Sequence, residues 1–493
     1  MTDKVKKVMK ASFWMLTVSW YSKILSMFTV IILARNLTKY DFGILAGCFV
    51  ARAFFNAISN VGSENYLIRK KNISNDQINT AWTISIFSKF LVGCMIFLLS
   101  DLVANFMKIP ELSLVLKVMC LSTIFRSFQS PALTINMKKL EYKKIAFLEA
   151  CAKSFSSTIS IVIVVLYQTY WGVIVAEVLF SFVYALGSQF IVKHKLKLSL
   201  IGLSEQWTFS KWILLKGIVS YTKSGFDRIM VSRSYSIGEL GLYNFALESS
   251  ITALQFIIDP VKNLINPSLS DYIYDSKVFA DKIHKSLLVL SIIYMPVVVG
   301  GVTLSDLIVP IVFGEKWNDA IPFFDLFLSM TFVGMLISVL TDIFTLTGRV
   351  KLQFYFELVT SFIVVLLLMN AISLELEMFA LYRALIPCLM LFLLLFTLKY
   401  CVDLSIFRLF ILYIPLLISS LIMLLNVSWV ATYLFEDVSI FSLFILILIG
   451  AITYVFTMLL MIYLLKFKVK EYDFLYSSFV LPIMNLIKIK NLQ

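Results

Sequence analysis

The chain has 493 residues, of which 60% are hydrophobic and only 15% are charged. This composition excludes an ordinary soluble globular protein, in which about 25% of the residues are charged. The formal net charge is +13, but the basic residues follow the cytoplasmic bias of membrane proteins and give no reason to expect a nucleic-acid partner. The six cysteines have no regular spacing and do not indicate a disulfide framework.

Fourteen apolar segments are long enough to cross a bilayer, which takes about 20 helical residues. The predicted spans are residues 12–34, 43–63, 81–103, 112–134, 145–168, 171–192, 212–235, 241–265, 286–311, 322–346, 353–370, 378–398, 408–429 and 438–465. Lysine and arginine are concentrated at both chain ends and in every second connection, whereas the remaining connections carry only Arg35, Lys39, Lys108 and Lys316. The sequence therefore predicts an all-α polytopic membrane protein with both termini in the cytoplasm.

A repeated pattern predicts that the chain consists of two related halves. Residues 31–44 and 229–242 both contain an apolar helix end, an arginine, a polar turn, an acid, a glycine and a new apolar helix. The equivalent residues, 198 positions apart, are Arg35 and Arg233, Thr38 and Ser236, Asp41 and Glu239, and Gly43 and Gly241. Each half would then open with the same helical hairpin, as in transporters built from repeats.

Several predicted spans carry polar residues at intervals of three and four, so that these residues share one helical face. A charge near the bilayer centre costs about 2.5–3.5 kcal/mol on insertion scales, so such a face must meet water, a partner charge or a ligand. The polar faces comprise Ser12, Ser19, Lys23 and Ser26; Arg52, Asn56, Ser59 and Ser63; Ser122, Arg126 and Ser130; Glu149, Lys153, Ser157 and Ser160; Lys216, Ser220, Lys223 and Asp227; and Asn244, Glu248, Thr252, Gln255, Asp259 and Lys262.

Basic residues outnumber acids in the spans of the first half, which favours an anionic substrate. Diphosphate is a strong candidate, because arginine and lysine bind its oxygens by charge-assisted hydrogen bonds. The candidate substrate-binding residues are Lys23, Arg52, Asn56, Arg126, Lys153, Lys216, Lys223 and Arg228. Lys23, Arg52 and Arg126 have no acid one turn away in their own helices, which favours a functional role. Lys153 has Glu149 one turn away, and Asp259 has Lys262 three positions away. Mutual neutralisation is an equal alternative for each of these two pairs.

The second half is richer in carboxylates, which could bind a proton or a cation during transport. The candidates for such coupling are Asp227, Glu248 and Asp259. The alternative for Asp227 is a static ion pair with Lys223 or Arg228 that holds the seventh span in place.

The sequence lacks the usual signs of an enzyme. Its only histidines, His194 and His284, lie in predicted connections and form neither a metal pair nor a general-base constellation. The chain contains no Gly-Lys dipeptide, hence no Walker A loop, and no G-x-S-x-G motif. We therefore expect no catalytic residues, no cofactor and no metal site.

Six motifs together resemble a known family, the Wzx-type O-antigen and capsule flippases of the multidrug/oligosaccharidyl-lipid/polysaccharide flippase superfamily. The motifs are LARNLTKYDFG at 33–43, YLIRKK at 66–71, KKLEYKK at 138–144, FDR at 226–228, ELGLY at 239–243 and VFGEKW at 312–317. Each motif is weak by itself, but their order and spacing are fairly specific. The resemblance covers nearly all of the first twelve predicted spans.

The resemblance implies two pseudo-symmetric six-helix lobes around a cationic central cavity, residues 1–200 and 201–405. Residues 406–493 would contain two further spans and a cytoplasmic tail. The implied activity is the flipping of an undecaprenyl-diphosphate-linked oligosaccharide to the outer leaflet of the bacterial inner membrane, coupled to an ion or a proton. The implied partners are this lipid-linked oligosaccharide and the bilayer, with a polysaccharide polymerase and a chain-length regulator as further candidates.

Two other functions stay open at this point. A multidrug or cation antiporter of the same superfamily fits the fold, but its cavity would be richer in acids and aromatic residues. A non-transporting scaffold of a polysaccharide-assembly complex would leave the polar faces without a purpose.

Overall fold

The computed structural model describes residues 3–63, 66–67, 73–130, 132–139, 141–191, 197–270, 272–434 and 439–482. The described residues form a chain of helices joined by short connections. In chain order these are α1 (Asp3–Asn36), α2 (Lys39–Ser59), α3 (Asn75–Met107), α4 (Leu112–Ser127), α5 (Ala132–Lys138), α6 (Tyr142–Tyr167), α7 (Trp171–Ile191), α8 (Leu203–Ser234), α9 (Ile237–Ser270), α10 (Ser276–Thr303), α11 (Ser305–Ile308), α12 (Ile321–Leu346), α13 (Val350–Ala371), α14 (Leu376–Val402), α15 (Ile406–Leu434), α16 (Ile440–Leu465) and α17 (Lys470–Leu475). Short π-helical turns occupy Val309–Phe313 and Tyr476–Val480, and a 3-10 helix occupies Glu315–Ala320.

Eleven helices in the described part of the chain are long and apolar enough to cross a membrane. They coincide with eleven of the fourteen predicted spans. The fourth, seventh and eighth predicted spans fall in α4, α8 and α9, of which α4 is short at 16 residues and α8 carries the charged face described above. The protein is therefore an all-helical, multi-pass membrane protein, and the number of fourteen spans stays a prediction.

The fourth and ninth predicted spans end earlier in the structure than in the sequence pattern. The fourth, residues 112–134, ends as α4 at Ser127. The ninth, residues 286–311, ends as a regular helix at Thr303. The Ser305 hydroxyl donates to the Val302 carbonyl oxygen at 2.9 Å, and Pro310 lies in the irregular turn that follows. Serine side chains that bind nearby carbonyls compete with the helical backbone, and proline lacks the N–H that would continue it.

The helices form two compact units. The first unit comprises Met1–Phe245 and Phe354–Phe379, and the second comprises Ala246–Gln353 and Ala380–Gln493. In the first unit α3 packs on α4, α6 on α1 and α7, and α2 on α8; in the second, α15 packs on α16, and α10 on α12 and α15. The predicted division of the chain at residues 200 and 405 stays a prediction.

The sequence repeat has the same local structure in both copies. The ends of α1 and α8, and the starts of α2 and α9, are each 198 residues apart. At the start of α2, the Asp41 N–H donates to Thr38 Oγ1 at 3.2 Å and the Asp41 carboxylate accepts from the Thr38 N–H at 2.9 Å. At the start of α9, Glu239 and Ser236 make the same two bonds at 3.2 and 2.8 Å. Each pair is a capping box, which stops one helix and starts the next.

The two copies of the repeat meet at their glycines. A Cβ atom on Gly43 would lie 2.0 Å from the carbonyl oxygen of Ile237, and one on Gly241 would lie 1.9 Å from that of Lys39. Because Lys39 and Ile237 are themselves equivalent in the repeat, the contact is reciprocal. Only glycine allows the starts of α2 and α9 to approach this closely.

Candidate functional site

A polar cavity of about 320 Å³ lies in the first unit, between α2, α3 and α4. Its lining residues are Asn56, Ser59, Asn60, Val61, Gly62, Ser63, Ser85, Ser88, Lys89, Thr123, Arg126 and Gln129. Most of these side chains carry hydroxyl, amide or cationic groups. Polar groups inside an apolar bundle are costly unless they are paired or meet a ligand or water, so this cavity is the candidate functional site.

Polar faces of three helices form the cavity. The face of α2 contributes Asn56 and Ser59, and α4 contributes Thr123 and Arg126. These two faces were predicted, and the structure brings them together. The contribution of α3 was missed: Ser85, Ser88 and Lys89 follow each other at intervals of three and one, which places them on one helical face. That spacing is the signal that could have identified Lys89 as a site residue.

A glycine turn after α2 completes the cavity. Gly62 has a φ of +69°, and a Cβ atom on it would lie 2.5 Å from Ile213 Cδ1 of α8. Glycine adopts such a conformation without steric cost, and the next residue, Ser63, reaches the cavity wall. The Ser63 and Thr123 hydroxyls are buried and have no hydrogen-bond partner among the described residues. Buried hydroxyls are normally bonded, so both are available to a ligand or to water in the cavity.

An arginine–glutamate–arginine cluster adjoins the cavity. Glu177 Oε1 of α7 lies 2.6 Å from Arg52 Nη2 of α2 and 3.0 Å from Arg126 Nη2 of α4. The Nε of Arg126 also donates to Ser181 Oγ at 3.2 Å. The absence of a neighbouring acid in the sequence of α2 and α4 was therefore misleading, because α7 supplies one. Two cations and one carboxylate leave a single excess positive charge beside the cavity.

The other basic candidates of the first helices lie elsewhere in the first unit. Lys23 of α1 and Lys153 of α6 are half-buried. Their helices pack together, and the Tyr21 and Ser154 hydroxyl oxygens lie 2.7 Å apart. Among the described residues that line the polar cavity, only Asn56 and Arg126 belong to the predicted substrate-binding set.

The predicted charged face of α8 spans several environments. Lys216 is exposed and Lys223 is half-buried. Lys223 Nζ lies 3.3 Å from Glu357 Oε2 of α13. The Ser361 hydroxyl, one turn further along α13, donates to the Val219 carbonyl oxygen at 3.3 Å. Lys223 therefore helps to join α13 to α8.

Asp227 is completely buried, with 0% of its surface exposed. The Tyr243 hydroxyl donates to Asp227 Oδ2 at 3.0 Å. Arg228 donates from Nη1 to Asn244 Oδ1 at 3.3 Å and from Nη2 to the Ser224 carbonyl oxygen at 3.2 Å. These bonds tie the end of α8 to the start of α9.

The two other coupling candidates lie beyond the first unit. Glu248 belongs to the second unit and is exposed. Asp259 lies in α9, but its side chain is outside the described part of the structure.

The second unit contains an apolar cavity of about 400 Å³ between α10, α12, α15 and α16. Glycine and apolar side chains, mostly aliphatic, form its wall: Pro296, Val297, Gly300, Gly301, Leu304, Ile308, Phe324, Leu328, Met423, Val427, Leu446, Ile447, Gly450, Ala451 and Val455. The Tyr454 hydroxyl is buried beside it without a hydrogen-bond partner in the described residues. The sequence interpretation did not predict this cavity.

The described helices, with buried charged residues and a cavity within each unit, have the architecture of a polytopic membrane protein and are compatible with a transporter. A family model described as "Polysaccharide biosynthesis protein" matches residues 32–322, more than half of the chain. The protein belongs to this polysaccharide biosynthesis family. This match and the relatives described next together confirm the predicted kinship with the Wzx-like flippases, a family of transporters.

Individual proteins show the same kinship. The chain is 25% identical over 343 residues to the lipopolysaccharide biosynthesis protein WzxC of Escherichia coli strain K12, a match that covers 67% of this chain and 68% of that protein. Its fold is similar to that of the lipid II flippase MurJ in an inward closed conformation, with a TM-score of 0.72 and 16% identity over 90% of this chain and 97% of that one. An inward-facing MATE multidrug resistance transporter of the MOP superfamily has a TM-score of 0.61 and 12% identity, over 78% of this chain and 94% of that one.

Proposed function

We propose that the protein flips a polyprenyl-diphosphate-linked oligosaccharide, a repeat unit of O-antigen or a similar surface polysaccharide, to the outer leaflet of the bacterial inner membrane. The observation that carries this proposal is the polar cavity bordered by Lys89 and Arg126 inside an otherwise apolar bundle. The similarities to WzxC, a lipopolysaccharide biosynthesis protein, and to MurJ, a lipid II flippase, support it.

The chemistry of the two cavities suits the parts of such a substrate. Lys89 and Arg126 would bind diphosphate oxygens by charge-assisted hydrogen bonds. The hydroxyls of Ser63 and Thr123 would bond to sugar hydroxyls. The apolar cavity of the second unit would take part of the hydrocarbon chain, whose burial is favourable at about 0.8 kcal/mol per CH₂ relative to water.

The proposed topology has fourteen spans with both termini in the cytoplasm, arranged as the two lobes and the two additional spans implied by the resemblance. It places the connection after α2, which borders the polar cavity, on the cytoplasmic side. Tags after Lys71, Lys144 and Lys197 should then be reached only from the cytoplasm, and tags near Lys39, Lys108 and Lys316 only from outside. Labelling of the Lys144 connection from outside would contradict this topology, because four basic residues lie there within seven positions.

Coupling to a proton or a cation is part of the proposal, with Asp227, Glu248 and Asp259 as the coupling candidates. The diphosphate would compete with Asp227 for Lys223 and Arg228 and free that carboxylate to take a proton, so that substrate occupancy and proton occupancy would be linked. A polysaccharide polymerase and a chain-length regulator are the proposed protein partners.

A multidrug or cation antiporter is the second candidate, which the similarity to a MATE transporter favours at the level of the fold. The lining of the polar cavity opposes it: both charged side chains among the described lining residues, Lys89 and Arg126, are cations. A cationic drug would be repelled by them.

Transport of a labelled lipid tests the proposal directly. Proteoliposomes with the purified protein should move a fluorescent polyprenyl-diphosphate glycan between leaflets, detected as a change in its accessibility to a membrane-impermeant quencher. Lys89→Gln should slow the movement about tenfold, since a hydrogen bond to a charged group contributes about 1.5–3 kcal/mol.

Lys117→Gln is the matched control. Lys117 is not among the residues that line the cavity, and its Nζ lies 3.0 Å from Asp101 Oδ2 in an ion pair. Proteoliposomes that move a cationic drug but no glycan would favour the antiporter. Wild-type protein that moves neither compound would contradict a transport function and would favour the alternative of a non-transporting scaffold.

A further inference from the structure

Glu177 pairs with both arginines of the cluster beside the polar cavity. Its Oε1 lies 2.6 Å from Arg52 Nη2 and 3.0 Å from Arg126 Nη2, and Arg126 also lines the polar cavity. The exposed fractions of the Arg52, Arg126 and Glu177 side chains are 16%, 36% and 24%, so the cluster is partly buried but can be reached. A ligand in the cavity would therefore meet a cation that is already bound to an internal carboxylate.

We propose that Glu177 is a displaceable counter-ion: it holds Arg52 and Arg126 while the site is empty, and the substrate diphosphate replaces it. The inference rests on the proposed function and adds a residue that couples substrate occupancy to helix movement. Glu177 positions the two arginines in the empty site and is released from them when the diphosphate binds.

The first argument is one of charge. A single carboxylate neutralises one of the two guanidinium groups, whereas a diphosphate carries more negative charge and more acceptor oxygens. Each guanidinium has five N–H donors, and both arginines reach Glu177 through Nη2. Carboxylates and phosphates can both accept two parallel bonds from one guanidinium. Here both arginines share the single Oε1 of Glu177, whereas a diphosphate has enough oxygens to bind each arginine by two bonds.

The second argument is one of connectivity. The three side chains come from α2, α4 and α7, so the cluster ties three helices of the first unit together. Removing Glu177 from the arginines without another anion would leave two like charges in an apolar bundle, which is strongly unfavourable. The tie between α7 and the two arginine helices is therefore stable in the empty site and is released only when a substitute anion arrives. A ligand shifts a conformational equilibrium by its difference in affinity for the two states, and this exchange supplies such a difference.

Anion binding to the full-length protein in detergent tests the exchange, with inorganic pyrophosphate as the probe in a calorimetric titration. Glu177→Gln keeps the shape of the side chain and removes the competing charge. We expect it to bind pyrophosphate at least about tenfold more tightly than the wild type, which corresponds to about 1.4 kcal/mol. The same variant should flip the labelled glycan more slowly, because the release of α7 no longer depends on the substrate. Glu177→Asp, which keeps the charge, should restore part of both properties.

A distance measurement in protein that retains Glu177 guards against misfolding of the variant. Spin labels at exposed Phe49 of α2 and Phe190 of α7, in a cysteine-free background, should move apart when pyrophosphate is added. Glu177→Gln that binds pyrophosphate no more tightly, or a label distance that stays constant with pyrophosphate bound, overturns the counter-ion role alone. A wild type that flips the glycan yet binds no pyrophosphate also overturns it. A wild type that neither binds pyrophosphate nor flips the glycan overturns the proposed function as well.

Discussion

The polar cavity of the first unit and the apolar cavity of the second differ in chemistry far more than in size, at about 320 and 400 Å³. Serine, asparagine, lysine and arginine at helical spacing line the first, and glycine with aliphatic residues lines the second. A lipid-linked oligosaccharide has the same division, with a charged and hydroxyl-rich head and a hydrocarbon tail. One helical architecture thus provides two chemically opposite sites, and only the side chains on the helix faces distinguish them.

Glycine has a different role in each cavity. Gly62 allows a left-handed turn that closes the polar cavity against α8. Gly300 leaves space instead: the nearest atom to a Cβ on it, Met423 Cε, would be 3.8 Å away. The polar cavity therefore depends on backbone conformation, and the apolar cavity depends on the absence of side-chain volume.

The largest expected effect is the loss of charge at the polar site. Arg52→Ala should abolish export while the protein stays inserted, because Arg126 and Glu177 would then neutralise each other and leave no excess positive charge in their cluster. Arg52→Lys should keep part of the activity, since it retains the charge but not the planar fork of donors. Surface polysaccharide and membrane-inserted protein are measured in cells that depend on the variant.

Lys117→Ala serves as the control for the loss of a basic residue on α4. A normal level of surface polysaccharide in cells with Arg52→Ala would exclude Arg52 from the substrate site. It would also contradict the proposal that the polar cavity binds the charged head of the substrate.

A smaller effect is expected from filling the apolar cavity. Gly300→Leu should lower glycan flipping about tenfold and leave pyrophosphate affinity unchanged, because only the hydrocarbon part of the substrate would lose its site. Gly334→Leu is the matched control: Gly334 lies in α12, and a Cβ on it would meet no atom within 4 Å. If Gly300→Leu flips the glycan at the wild-type rate, the apolar cavity is not a substrate site.

The reciprocal glycine contact affects the first unit as a whole and not one cavity. Gly43→Ala should destabilise the protein by about 1–3 kcal/mol, the usual cost of an added methyl group in a tightly packed position. Gly241→Ala should have the same effect because the contact is reciprocal. Thermal unfolding in detergent measures both, with Gly334→Ala as the reference. Unchanged unfolding temperatures would show that α2 and α9 do not pack this closely in the protein.

The smallest effect is expected at Asp227, a buried carboxylate that is not among the described residues lining either cavity. If it couples transport to protons, Asp227→Asn should remove the few-fold response of flipping to an imposed pH gradient. Tyr243→Phe, which removes only the hydroxyl donor to Asp227, should keep that response. An unchanged pH response in Asp227→Asn proteoliposomes would assign Asp227 to holding α8 and α9 together.

The sequence by itself determined the local features of this protein. The helices and the repeated hairpin follow from apolar runs and from capping residues such as Thr38 and Asp41, whose interactions span only a few positions. The polar faces of α2 and α4 were likewise visible, because helical periodicity shows which residues share a face.

Only the tertiary structure decided which faces meet. Glu177 lies 51 positions from Arg126 and binds it across α4 and α7, and Glu357 lies 134 positions from Lys223. No spacing rule connects such pairs, because their distance depends on how whole helices pack. The same reason explains why the apolar cavity was not predicted, because it is a property of several helices together; Lys89, in contrast, lies on a polar face that the spacing of Ser85, Ser88 and Lys89 already shows. A helical pattern specifies the chemistry of each face, and the packing of the helices converts those faces into sites.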